Sequence, residues 1–205
     1  MLRSFKLAAV ALAVAAITSA PNAWAVTFNF QSDEANVSEA FYTNGSIDLT
    51  VTAVKNFGTS NDAGTISRAM GGLGVVGAPT AANLGLNEAL VFSFNPAVSL
   101  LNAIIFERGD EAEKFRIYDS NNVAITDFTV AAARGMSTQL FDLTGFNIVG
   151  SSFSIVGLEL GNGTRGGRIA QIDVAAIPLP ASFLLLFGGL ATLGTVSVLR
   201  RRENT

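Results

Sequence analysis

The chain has 205 residues, a formal net charge of −3, no cysteine and no histidine. Those two absences exclude zinc sites built on thiolate or imidazole, cysteine nucleophiles, Ser-His-Asp triads and any imidazole general base. Residues 26–176 carry eight Lys+Arg against fifteen Asp+Glu, 8 − 15 = −7, which argues against a nucleic-acid partner, since phosphate contacts need clustered cations.

The first element is an export signal. "MLRSFKLAAVALAVAAITSAPNAWA" places Arg3 and Lys6 before an apolar run from Leu7 to Ile17, followed by Ala23 and Ala25 in an A-x-A arrangement. That order is the layout of a secretory signal peptide over residues 1–25, cut after Ala25. The apolar run is about eleven residues, too short for a span, which needs about twenty. The mature chain then begins at Val26, outside the cytoplasm. Its lack of cysteine fits this compartment, because roughly 150 residues bury a core without disulfides.

From residue 26 to residue 176, short β-branched and aromatic segments alternate with turn compositions. Strands are predicted at 26–30, 46–54, 89–94, 100–107, 114–119, 123–131, 138–143, 152–160 and 168–176. Several have period two: Ile47, Leu49 and Val51 share one face, with Asp48, Thr50 and Thr52 on the other. Leu90, Phe92 and Phe94 likewise oppose Val91 and Ser93. The separators "TNGS", "SNDAG", "DSNN" and "GNGTRGG" have the composition of turns. The fold expected is all-β, an antiparallel β-sandwich of jelly-roll-like kind.

The loops offer little chemistry. Glu107, Asp110, Glu111, Glu113 and Asp119 form the densest acidic cluster, but Arg108, Lys114 and Arg116 are interleaved with them, so a solvated hairpin is expected rather than a calcium site. The cluster lacks a D-x-D-x-D-G loop, and no metal or cofactor is assigned. "GGLGVVG" (71–77) has no lysine after its last glycine and no helix pattern behind it, and reads as a tight turn or bulge beside a strand. "GNGTRGGR" (161–168) reads as a flexible loop with a basic tip at Arg165 and Arg168.

The last element is a tail of three parts. Ile177-Pro178-Leu179-Pro180-Ala181 precedes a charge-free stretch, residues 182–199, and then Arg200, Arg201 and Arg202 in a basic end, residues 200–205. The prolines lack N–H groups and bias their neighbours toward extended backbone, so the motif stays out of helix. Eighteen residues at 1.5 Å rise make about 27 Å of helix, enough to cross the hydrocarbon core. The arginines act as a cytoplasmic stop and orient the chain with its β-domain outside.

Proline motif, apolar helix and terminal arginines in this order resemble the PEP-CTERM class of bacterial sorting signals, specifically its VPLPA variant, with Ile177 in the valine position. The resemblance covers residues 177–205 and implies recognition by an exosortase, a membrane-embedded protease that detaches the ectodomain. The segment "GGLGVVG" together with residues 87–122 is similar to ectodomains found ahead of such signals. The resemblance implies a protein held transiently in the inner membrane and then delivered to the cell surface or an extracellular matrix rich in exopolysaccharide, with a structural or interaction role. The alternative is a carbohydrate-binding β-sandwich. A glycosidase is disfavoured, because it needs two carboxylates at a set separation, and no catalytic residue is assigned.

Overall fold

A computed structural model describes residues 24–32, 35–77, 83–107, 112–131, 137–159 and 167–177, which belong to one compact unit, Trp24–Ile177. Its strands are β1 (Ala25–Asn29), β2 (Ala35–Val37), β3 (Glu39–Asn44), β4 (Ile47–Lys55), β5 (Asp62–Ala63), β6 (Ile66–Ala69), β7 (Gly72–Val75), β8 (Ala89–Glu107), β9 (Glu113–Asp119), β10 (Ala124–Val130), β11 (Ser137–Asp142), β12 (Val149–Glu159) and β13 (Arg168–Ala176). The described helical structure is a single 3-10 turn, Thr144–Phe146. No described helix is long and apolar enough to cross a membrane.

Every ladder between these strands is antiparallel. The architecture turns on β8, whose 19 residues serve both layers. Its first half pairs with β4 on one side and β12 on the other, through Asp48↔Asn95 and Ile155↔Leu90 among others. Its second half lies between β13 and β11, through Ile172↔Ala103 and Phe141↔Ala103. The first layer therefore runs β10-β9-β12-β8-β4-β3, while the second contains β11, β8 and β13, with β1 and the β7-β6-β2 run beyond β13. Sequence patterning suggests two strands, at 89–94 and 100–107. They are one continuous strand, because Asn95 to Ser99 continue the extended backbone from one layer into the other.

A strand shared by two layers must keep apolar side chains inward in both. Leu90, Phe92, Phe94, Val98 and Leu100 are buried in one parity, then Ala103 and Ile105 in the other. The parity changes at Leu101, where pairing with β13 passes from Val174↔Leu100 to Asp173↔Asn102, a one-residue bulge. The layers meet through aromatic rings: Phe28 of β1 lies 6.1 Å from Phe94, and Phe30 lies 5.8 Å from Phe92. Phe92 is 1 % exposed. Burying such a ring stabilises by about 3 kcal/mol. The predicted alternation of β4 holds, with Ile47, Leu49, Val51 and Ala53 buried and Asp48 exposed.

"GGLGVVG" contributes a strand where a turn or bulge is expected. The turn is at Met70 and Gly71, and Gly72–Val75 pairs with β6 and touches β13. Gly72 has φ +110°, and a Cβ there would lie 2.2 Å from the Ile169 carbonyl oxygen, so only glycine lets β7 approach β13 this closely. Arg168, expected at a basic loop tip, instead turns into the protein. Its guanidinium donates to Asn83 Oδ1 (3.0 Å), the Gly72 carbonyl (2.8 Å) and Ser67 Oγ (3.0 Å).

Candidate functional site: a hydroxyl-lined groove on one sheet face

Alternation sends every second side chain of the first layer outward. On β4 these are Thr50, Thr52 and Val54; on β8, Val91 and Ser93; on β12, Ser152 and Ser154; on β9, Lys114, Arg116 and Tyr118. Direct cross-strand pairing lines them up in rows, one of which runs Glu39–Thr52–Val91–Ser154–Tyr118 and the next Phe41–Thr50–Ser93–Ser152. The middle of this face is thus small, and five of its seven outward side chains on β4, β8 and β12 carry a hydroxyl.

Two loops turn the face into a groove. The turn after β4, residues 56–61, is tied internally: Asn56 Nδ2 and Ser60 Oγ each donate to Asp62 Oδ2 at 2.7 Å, and the Gly58 N–H donates to Asn61 Oδ1 at 2.8 Å. Asn56 and Asn61 adopt left-handed φ of 53° and 51°, which asparagine tolerates better than most residues. Those bonds hold the Asp62 carboxyl below its ordinary pKa, Ser60 first and Asn56 second. The loop is then fastened to the sheet. The Phe57 N–H donates to the Asn87 carbonyl (2.8 Å), and the Asn87 N–H to the Gly157 carbonyl (2.9 Å). Glu88, 7 % exposed, accepts the Gly85 N–H at 2.8 Å and braces that second support.

Phe57 is thereby set against Tyr118, ring centroids 5.0 Å apart and tilted by 52°. The opposite wall is the β9–β10 turn. Asp119 Oδ1 accepts the N–H groups of Asn121 (2.9 Å) and Val123 (2.8 Å), and Asn122 has φ 60°. Between the walls lies an open groove of about 260 Å³, floored by Val54, Val91, Ser152 and Ser154 and lined by Phe57, Asn61, Ser120 and Asn122. Ser154 is 5 % exposed as a residue, and the surface it keeps faces the groove. A hydroxyl open to the groove keeps its donor and acceptor for water or a ligand.

The charges beside the groove are mutually committed. Asp127 takes Arg116 through both carboxylate oxygens, Nη2 to Oδ2 at 2.9 Å, and Lys114 Nζ lies 3.2 Å from Oδ2. The hydrogen bond from Arg116 is the largest influence on the Asp127 carboxyl; desolvation opposes it, the Lys114 bond adds to it, and the pKa is lowered to about 2. Arg116 also lies 6.0 Å over the Tyr118 ring. The expected neutralisation inside the acidic hairpin is therefore not the role of these two cations, and Glu113 faces the interior at 2 % exposure. Asp110, Glu111 and Arg108 lie outside the described residues.

Of the processing residues read from sequence, Ala25 opens β1 and pairs with Ala175 of β13. Ile177, the first residue of the proline motif, follows β13 directly and donates its N–H to the Ala97 carbonyl at 3.4 Å. The ladder thus places Ala25 and Ile177 at one end of the domain. Ala23, Pro178, Leu179, Pro180, Ala181, Arg200, Arg201 and Arg202, and with them the expected membrane helix, lie outside the described residues. Asp119 of the acidic cluster lines the groove, whereas the Phe57 ring beside it is not expected from the sequence. The structure leaves Phe41 71 % exposed, with Phe57 and Tyr118 half-buried at the groove. A signal existed for Tyr118, which shares the polar parity of "KFRIYD" with Lys114 and Arg116.

No family model matches the chain, and no curated protein does. Among solved structures it is similar to variants of CBM29-2, a family 29 carbohydrate-binding module. One has 8 % identity and TM-score 0.32, covering 74 % of this chain and 83 % of that one. A second has 9 % identity and TM-score 0.32, covering 75 % and 89 %. A likeness this distant carries no argument about fold or ligand, and the groove must be read from its own residues.

Proposed function

We propose that residues 26–176 form an exported, jelly-roll-like β-sandwich that binds polysaccharide, and that the C-terminal tail delivers it to the cell surface or extracellular matrix. The observation supporting the first part is the groove, where Ser152 and Ser154 share a floor beside the Phe57 ring. A pyranose has apolar C–H faces and a rim of hydroxyl groups. An aromatic ring covers such a face, while serine hydroxyls and asparagine amides, which both donate and accept, match the rim. The paired-carboxylate route of glycoside hydrolysis is not supported by the described lining, where Asp119 is the one carboxylate and has an oxygen committed to two backbone N–H groups. Titration of the full chain in detergent against a polysaccharide panel tests the reading. Saturable binding that Phe57→Ala weakens is expected, and the absence of binding to every member overturns it.

Delivery rests on the order of Ile177–Ala181, residues 182–199 and Arg200–Arg202. In cells carrying an exosortase, intact mass is expected to show loss of the chain beyond about Pro180. Replacing Pro178 and Pro180 by alanine abolishes that loss. A full-length tail in both proteins would reduce the segment to an anchor.

A further inference from the structure

We infer that the site does not end at the groove but crosses the sheet as a trough to Phe41, and that its ligand is an internal stretch of an uncharged polysaccharide. This rests on the carbohydrate reading of the groove.

The extent follows from register. Ser152 on the groove floor pairs with Ser93, Ser93 with Thr50, and Thr50 with Phe41, so all four project from one face in a straight row. Neighbouring strands lie about 4.8 Å apart, which puts Phe41 about 14 Å from the Ser152 strand. Between the two aromatic positions the row offers nothing larger than threonine, and the adjoining row nothing larger than valine: Thr52, Val91 and Ser154. A low hydroxyl floor with a ring at each end is a trough, and it is open along its length. Phe41 is 71 % exposed, whereas its neighbours Ala40 and Tyr42 turn inward, Tyr42 reaching Phe30 at 5.0 Å between centroids. The Phe41 ring has no part in the core.

Such a floor suits a chain passing through, not a chain end, because beyond the two loops of the groove it runs on to Phe41, which is 71 % exposed. Its charges select against acidic glycans. Lys114 and Arg116 both hold Asp127, Thr43 Oγ1 donates to Asp48 at 2.8 Å, and Asp119 caps its own turn. Glu39, at the Phe41 end of the face, has no ion-pair partner among the described residues and repels carboxylated or sulfated sugars. Recognition is therefore left to hydroxyls, amides and rings.

The test uses the full chain in detergent, a ladder of neutral gluco- and manno-oligosaccharides with their parent polymers, and alginate as the acidic comparator, each at low and high salt. Binding is expected to strengthen with chain length and to be insensitive to salt. Phe41→Ala is expected to lose about five- to tenfold on the polymers, the range for one aromatic contact, while leaving the shortest oligosaccharides unchanged. Phe57→Ala weakens short and long ligands alike. Equal polymer affinity in Phe41→Ala and wild type, with Phe57→Ala impaired, would confine the site to the groove and overturn the trough alone. Stronger, salt-sensitive binding of alginate would overturn the neutral assignment. Failure of wild type to bind any of these probes would overturn the carbohydrate reading beneath both.

Discussion

The two outer faces of this sandwich share strand β8, and they use their polar groups in opposite ways. On the second layer, Asp173 is the hub: Thr27 Oγ1 donates to it at 2.7 Å, Gln171 Nε2 at 2.9 Å and Asn102 Nδ2 at 3.2 Å. Next in that row, Asp142 accepts the Thr144 hydroxyl at 2.6 Å and its N–H at 3.0 Å. On the first layer, Ser152 and Ser154 face a groove, and aromatic rings stand beside them. Polar groups bonded to one another stabilise the fold but have little left for a ligand. Those left open to a groove on a rigid sheet are prepared for one.

The largest effect that breaks this contrast is expected at Gly157. A Cβ there would lie 2.2 Å from the Gly85 carbonyl oxygen, and the neighbour is backbone, which cannot swing aside. Gly157→Ala must displace residues 84–88, and with them the Asn87 carbonyl that holds Phe57. A loss of about 3 kcal/mol in denaturant stability is expected, together with loss of glycan binding. A variant that keeps wild-type affinity would show that Phe57 does not depend on this support.

A crossed pair of substitutions then sharpens it. Asp173→Ala leaves three donors without their acceptor and is expected to lower stability by about 2 kcal/mol, with affinity unchanged. Ser154→Ala removes a hydroxyl open to the groove, so stability stays within about 0.5 kcal/mol, while affinity falls by about three- to tenfold. Chemical denaturation and titration on the same two proteins separate the roles. If Asp173→Ala weakens binding as much as Ser154→Ala does, the two faces are not functionally distinct.

The framework of this comparison was legible in the residues. Period-two alternation at Ile47–Val54 and Leu90–Phe94 gives both the strands and their inward faces, because sheet geometry makes parity and burial the same fact. The short strands β2, β3, β5 and β6 escape such reading. Two to six residues supply few alternations, and "EAFYTN" sets Phe41 and Tyr42 side by side without marking which one is outside. β7 escapes because its glycines mimic a turn, although Gly72 is there to let strands touch. The groove needs long-range knowledge. Phe57 gains its role from Asn87 and Gly157, and Ser154 its place in a groove from the two loops beside it.

The smallest effect concerns two carboxylates that look alike, one on each side of the comparison. Asp62 is held below its ordinary pKa by Ser60 and Asn56. Asp142 is similarly lowered, first by the Thr144 hydroxyl and then by its N–H. For both, the folded pKa is below the unfolded one, so the stability they contribute is fully present above about pH 3.9 and is lost as pH falls through the depressed value. Only Asp62 ties the loop that carries Phe57. Acidification through this window is therefore expected to weaken glycan binding through Asp62, by less than Ser154→Ala does. Asp62→Asn should flatten the decline and start from a lower affinity, while Asp142→Asn should leave it intact. Titrations between pH 5 and the acid limit of the fold decide the matter. A decline that survives Asp62→Asn would mean that the loop is not what couples protons to the groove.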